Sequence, residues 1–511
     1  MSRLAEAAWN DNGDLIAAVT MALARAVAAD GEAATFAGRE QSALAISNEA
    51  VRRFLETELQ RAADSGPERV GVDASSFKRH QPGTTTYHSL CGPLRVRRWT
   101  YRAMGRRNGP TIVPLELSAG IIERATPALA YAVAQGYAKT PSRDFEEDLY
   151  AARRAPPSRS TLERMAKRIA TSAKGEVEAI EPKVRALEDV PDDTTGMTLG
   201  LDRTTVPMEE DVSDEDRASG KKVSVRYRMA YVGTIALTNC TGEVLCSRRY
   251  AVGAHEDPHL VTARLMSDLA CVLKRKPKAE VGIVQDGAPE LWRLMDEALE
   301  KWKPPTTRIH RVIDMFHLCE RLSAALQVIY PKQSEAAIRA KTLAKWKRSL
   351  LRRDDAIKDI SDFFEVGPRY YRRCARHTDR DAASKGFFRT RDHEYVDRPD
   401  KLRPPPPPAF PPSKFSERAR AEITTLLENY LLVPDMFRYA SIARLGLHVG
   451  SGVTEGACKS LIAARTKRSG QRWRKPGIEA VLTVRSLVES KRFDGFWHRF
   501  AQLYAPVVDA A

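Results

Sequence analysis

The spacing of apolar and polar positions changes character several times along the 511 residues. Leu15, Val19, Met21, Leu23 and Val27, then Val51, Phe54, Leu55 and Leu59, recur at helical spacing, which predicts a helical N-terminal region over 1–70. From Thr84 to Leu90 and from Leu94 to Tyr101 the period drops to two around Cys91-Gly92-Pro93, predicting a β-hairpin within 71–120. Helical patterns return at about 125–138, 142–153 and 159–185, with the tight turn Ala155-Pro156-Pro157-Ser158 before the last and Ser158 or Ser160 available as its cap. Two helices joined so closely fit an ordinary helical hairpin or a helix-turn-helix. The Arg and Lys of the segment, Arg153, Arg154, Arg159, Arg164 and Lys167, incline region 121–195 toward a helix-turn-helix-like DNA-binding role.

From about 196 short apolar runs take over. Met197–Leu201, Val223–Val232 and Glu243–Tyr250 read as strands, followed by a helix at 258–274, a strand at 281–285, a helix at 289–301 and a strand at Arg308–Ile313. The order βββαβαβ predicts an α/β class chain with a ribonuclease-H-like core whose first part spans 196–330. In that fold the first and fourth strands are neighbours. Asp202 and Asp286 would then meet at one sheet edge although 84 residues separate them. Between 331 and 445 the strands stop, and Lys/Arg-rich helical runs at 334–352, 354–363 and 415–431 flank a Pro-rich loop at Pro404–Pro412. This stretch reads as a helical insertion that delays the last catalytic helix, leaving 446–511 as that helix and a basic C-terminal region.

The candidate chemistry lies at the ends of these elements. Asp202 closes the run Met197–Leu201, Asp286 follows Val281–Gln285, and Glu455 sits in Gly450-Ser451-Gly452-Val453-Thr454-Glu455-Gly456 at the head of a basic helix. Taken singly, each is as well explained as a turn or first-turn residue. Taken together in this fold order, they form a candidate Asp-Asp-Glu site for two Mg²⁺ ions, Mn²⁺ being an alternative, since a few carboxylates suffice for a hard cation that retains several waters. Asp202 is assigned as the bridging ligand, with Asp286 on one ion and Glu455 on the other. Asp314 and His317 follow the fifth strand and lie on one helical face, where His317 is either a catalytic imidazole or a surface residue beside a capping Asp314. Lys459, one turn after Glu455, reads as a phosphate clamp. Arg465, Lys467, Arg468 and Arg472 read as phosphate-backbone contacts with Trp473 among them. A P-loop is excluded, because Gly does not directly precede Lys459.

The Leu199-Gly200-Leu201-Asp202-Arg203 and Val284-Gln285-Asp286-Gly287-Ala288 segments, the quartet Asp314-Met315-Phe316-His317, and the run from Gly450 to Trp473 together resemble the bacterial DDE transposases of Kra-type insertion sequences, distant relatives of the Mutator-like transposases. The resemblance covers roughly residues 85 to 500. It implies a DNA-cleaving and strand-transferring enzyme that binds the inverted terminal ends of its own element. It also implies that the Asp314/His317 pair belongs near the active site, with His317 contacting the scissile phosphate or an attacking hydroxyl. Zinc-binding cysteines common near the hairpin in related transposases have no counterpart here. Pairing two ends implies at least a dimer.

Composition agrees in part. The formal charge of +16 favours a polyanionic partner, here double-stranded DNA. Between 456 and 500, eleven Lys and Arg stand against three Asp and Glu, so half the excess lies in under a tenth of the chain, with Trp473 and Trp497 interleaved. Seven cysteines form no Cys-x-x-Cys pair, which predicts reduced, core-filling thiols of a cytoplasmic, nucleoid-associated protein. The apolar stretch Leu15–Ala24 is too short to span a bilayer, and neither export nor a membrane is expected.

Overall fold

The computed structural model describes residues 13–29, 35–73, 75–105, 107–220, 222–365 and 434–510. The Pro-rich loop at 404–412 and the helical run at 415–431 lie outside them. The chain is mixed α/β with two five-stranded sheets, and it divides into two compact units, Met1–Val184 with Arg492–Ala511, and Arg185–Lys491.

The first unit begins with α1 (Gly13–Ala28) and α2 (Phe36–Asp64). Thr35 Oγ1 caps α2 by accepting from Gly38 N at 3.1 Å. A sheet follows, ordered β10-β1-β2-β3-β4, from β1 (Arg69–Val72), β2 (Ser75–Ser89), β3 (Gly92–Ala103), β4 (Thr111–Ile112) and β10 (Asp509–Ala510). The hairpin is longer than its apolar alternation indicates. β2 and β3 stay paired from Ser89↔Gly92 out to Phe77↔Ala103, and the turn depends on Gly92 at φ +124°. Three helices, α3 (Pro114–Ser118), α4 (Pro127–Lys139) and α5 (Ser142–Ala151), lead to the long α6 (Arg159–Leu187), which starts directly after Ser158. Arg159 and Arg164 are exposed on α6. The C-terminal helix (Phe493–Gln502) also belongs here, so the piece read as 446–511 spans both units. Its Trp497 is a core residue rather than part of a DNA surface: it is buried, stacked on Phe493 at 5.6 Å and edge-on to Tyr131 at 5.8 Å.

The second unit is built on β5 (Gly196–Glu210), β6 (Ser224–Thr238), β7 (Val244–Val252), β8 (Glu280–Gln285) and β9 (Ile309–Ile313), ordered β7-β6-β5-β8-β9, with the short helix α7 (Asp214–Ala218) between β5 and β6. The first three strands are antiparallel; β8 and β9 continue parallel from β5. The crossover helices α8 (His259–Arg275) and α9 (Pro289–Trp302) pack on one face against Met197, Leu199, Leu201, Ile235 and Ile283. Val284, Val312 and Ile313 meet α10 (Met315–Ile329), α11 (Ala336–Leu350), α12 (Ala356–Glu365) and α13 (Tyr439–Arg444) on the other. The period of two along β5 sorts its residues between these faces. Odd positions enter the α8/α9 core, while Thr198, Gly200 and Asp202 face the segment that carries Glu455.

β5 does not end at Asp202. It runs eight residues further, because β6 continues to pair with it as far as Glu210↔Ser224. Only the parallel ladder to β8 stops early, at Leu199↔Ile283. Asp202 therefore sits mid-strand, just beyond the point where one neighbour has left.

Candidate metal centre

Four chain segments converge where β8 and β9 end. Asp202 is held on β5 by two donors: Arg203 N reaches Oδ1 at 2.7 Å and the Cys458 thiol reaches Oδ2 at 3.2 Å. Burial, with the charge of Asp286 as a smaller contribution, raises the Asp202 carboxyl above its ordinary value, opposed by these donors and by His317. Asp286 leaves β8 into a turn in which its Oδ1 accepts from Ala288 N at 2.9 Å, and Pro289 then opens α9. Beside them, Arg203 pairs with Glu290, which also takes the hydroxyl of Tyr231.

Asp314 follows β9 as the N-cap of α10. Its carboxylate accepts from Phe316 N at 2.5 Å and His317 N at 3.1 Å. His317 sits one turn into the helix, with Nδ1 3.4 Å from Glu320 Oε2 and Nε2 3.8 Å from Glu455 Oε1. The His317 and Glu455 side chains remain 36% and 37% exposed, open to a ligand. Ligand atoms of Asp314, His317 and Glu455 lie within 4.8 Å of one another, a group able to hold a metal ion.

Glu455 rides on α14 (Gly452–Ala457), which lies against β5 and β6 because Gly200 leaves room for it. A Cβ on Gly200 would run into Thr454 Oγ1 and come within 3.0 Å of Val284 O. The approach is fixed by a buried hydrogen bond between the hydroxyls of Thr454 and Thr234 at 2.7 Å. A π-helical turn, Cys458–Ala463, follows, then the short helix Ala464–Thr466. Such turns open the i→i−4 ladder, and here the Ser460 carbonyl accepts from Arg485 Nε at 2.9 Å.

The basic run that follows divides in two. Lys459, Lys467, Arg468 and Arg472 are exposed, Lys467 reaching Thr204 Oγ1 at 2.6 Å and Arg472 pairing with Glu209 at 3.2 Å. Arg465, expected on the phosphate-binding face, is instead buried, its guanidinium 4.8 Å from the centre of the Trp473 ring. Trp473 is spent on structure as well. Its backbone accepts from Glu209 N at 2.8 Å and donates to Pro207 O at 3.0 Å, extending the free edge of β5, and its indole donates to Thr466 O at 3.2 Å. A flanking charge run gives no hint of this, because helical phase decides which Arg turns inward.

Sequence reasoning missed Cys458. It is buried as a core-filling thiol should be, yet it also touches the central carboxylate, and burial beside Asp202 pushes its thiol well above the usual range, keeping it a proton donor. Its position three residues after Glu455, hence on a neighbouring face of the same helix, was the available signal.

No family model and no curated protein matches this chain. Among solved structures it is similar to the Drosophila P element transposase strand transfer complex, with 12% identity, a TM-score of 0.31, and coverage of 72% of this chain and 92% of that one. Agreement at that level leaves function to be read from the site. No described helix is long and apolar enough to cross a membrane.

Proposed function

We propose that this chain is a DDE transposase with a ribonuclease-H-like catalytic core: it binds the inverted ends of its own element, cleaves DNA with Mg²⁺ or Mn²⁺, and joins the freed 3′-hydroxyl to target DNA. The reading is supported by Asp202, mid-strand on β5, lying close enough to Asp286, at the end of the adjacent parallel β8, and to His317 for their charges to shift it, and by His317 standing 3.8 Å from Glu455, 169 residues beyond Asp286 in sequence. The donor set fits a hard divalent cation. It consists of carboxylate oxygens, and burial and like charge both disfavour ionised Asp202, penalties that a cation would offset.

When bound, the ions would activate the attacking oxygen and stabilise the leaving one. The chain's own groups do the rest. Asp202, Asp286 and Glu455 hold the cations, and the Cys458 thiol keeps one oxygen of Asp202 turned in a fixed direction. His317, half-open beside Glu455, orients the scissile phosphate or takes the proton of the attacking hydroxyl. Lys459 and the exposed Lys467, Arg468 and Arg472 neutralise DNA phosphates. Arg159 and Arg164 of the first unit are proposed as further DNA contacts, and the working form as a dimer or larger assembly.

The test uses the full chain, Mg²⁺ and DNA carrying the sequences that flank its gene. Strands joined to a second DNA are expected. Nicks with free 3′-hydroxyls and no joined strands would instead make the protein a nuclease or resolvase on the same site. Binding without any cleavage, equal to that of Asp202→Asn, would reduce it to a DNA-binding protein.

A further inference from the structure

We propose that Asp314, although within reach of the metal centre, is a positioning residue that sets Glu455 and His317 relative to each other and does not ligate metal; this rests on the metal-site reading above. The Asp314 side chain is fully buried. A carboxylate has roughly four acceptor positions, and three here are filled by backbone N–H groups: Phe316 N and His317 N on Oδ1, and Ser451 N on Oδ2 at 2.6 Å. None of its surface remains exposed for a cation.

Those three donors belong to the two segments that must be held in register. Phe316 and His317 open α10, which fixes where the imidazole stands. Ser451 immediately precedes α14, and its Oγ donates to Glu455 Oε1 at 3.1 Å, so the chain of bonds runs from Asp314 through Ser451 to the Glu455 carboxylate. Two backbone bonds brace the same junction: Met315 N to Val449 O at 3.0 Å and Asp314 N to Gln285 O at 2.8 Å, the latter beside Asp286. Gly450 leaves room for the approach, since a Cβ there would come within 2.6 Å of the exposed Phe316 ring and push it aside. One buried carboxylate thus ties the end of β9, the start of α10 and the segment bearing Glu455, residues far apart in sequence. Groups that orient a ligand without touching the metal typically contribute about 10–100-fold to its affinity.

The test is Mn²⁺ titration of the full chain by calorimetry, compared across variants. Asp314→Asn keeps an oxygen for the Phe316 and His317 amides but turns an NH₂ toward Ser451 N, so it severs one arm and spares the cap. We expect unchanged Mn²⁺ stoichiometry with affinity about 10–100-fold weaker, and a smaller weakening for Ser451→Ala, which leaves the fold intact. Glu455→Gln should lower the stoichiometry itself. A loss of stoichiometry in Asp314→Asn equal to that of Glu455→Gln would make Asp314 a ligand and overturn the proposal. So would unchanged Mn²⁺ affinity in both Asp314→Asn and Ser451→Ala, whatever happens to Tm. Wild type that binds no Mn²⁺ would instead overturn the metal-site reading, and this role with it.

Discussion

Asp202 is held in an environment that costs stability. Its carboxyl titrates above the ordinary 3.8, so in the window between that value and the raised one the folded chain keeps a proton the unfolded chain has lost. The stability this contributes is present below the ordinary value and is lost as pH rises through the raised one. At neutral pH the ionised, part-buried carboxylate is a liability that a bound cation would remove. Asp202→Asn should therefore raise the Tm of metal-free protein at pH 7 while abolishing cleavage; a change of about 1 kcal/mol moves a unit of this size by roughly 2–4 °C. Mg²⁺ should raise the Tm of wild type and not of the variant. A metal-free Asp202→Asn that melts below wild type would mean the carboxylate is a structural hydrogen-bonding group. Residue by residue, the acidic positions were easy to single out because a carboxylate that closes an apolar run is a simple pattern, even though Asp202 lies mid-strand. The inward turn of Arg465 and the thiol of Cys458 were not, because each depends on which side of a helix meets the sheet.

At the scale of elements, α14 reaches β5 and β6 through the missing side chain of Gly200. Gly200→Ala would force the helix outward or the strand aside, a change of the kind that typically costs 1–3 kcal/mol. Urea unfolding should register that loss, and Mn²⁺ affinity should fall with it, because Glu455 moves with the helix. A variant destabilised yet binding Mn²⁺ as wild type does would separate the helix contact from the site. The strand and helix order of the second unit could be read from short apolar runs broken by Gly, Pro and Asp. The extension of β5 past Asp202 could not, since Thr204, Thr205, Glu209 and Glu210 are polar and are held in the strand by pairing with β6. The pairing of Asp509–Ala510 with β1 was equally illegible, because two residues carry no periodicity.

For the whole molecule, net charge is the property the sequence states most directly, and the structure decides how much of it faces outward. With Arg465 buried, four of the five cations expected to contact phosphate remain exposed: Lys459, Lys467, Arg468 and Arg472. Changing these four to Ala should reduce the slope of log affinity for duplex DNA against log salt by roughly 3–4 units, at about 0.9 per phosphate contact. Arg465→Ala should instead lower Tm, through loss of its packing on Trp473, and leave the slope nearly unchanged. The reverse pattern would put Arg465 on the DNA.

The central claim is that Asp202, Asp286 and Glu455 together cut a phosphodiester bond with a divalent metal. Single-turnover nicking of DNA bearing the gene's flanking sequences, in Mg²⁺ at saturating protein, tests it most directly. Wild type is expected to nick, and Asp202→Asn, Asp286→Asn and Glu455→Gln each to lose nicking by at least about 10³-fold, the scale on which a preorganised electrostatic group acts in catalysis, while still binding the DNA. Near wild-type nicking by any one of the three would remove that residue from the centre, and nicking by all three would contradict the account.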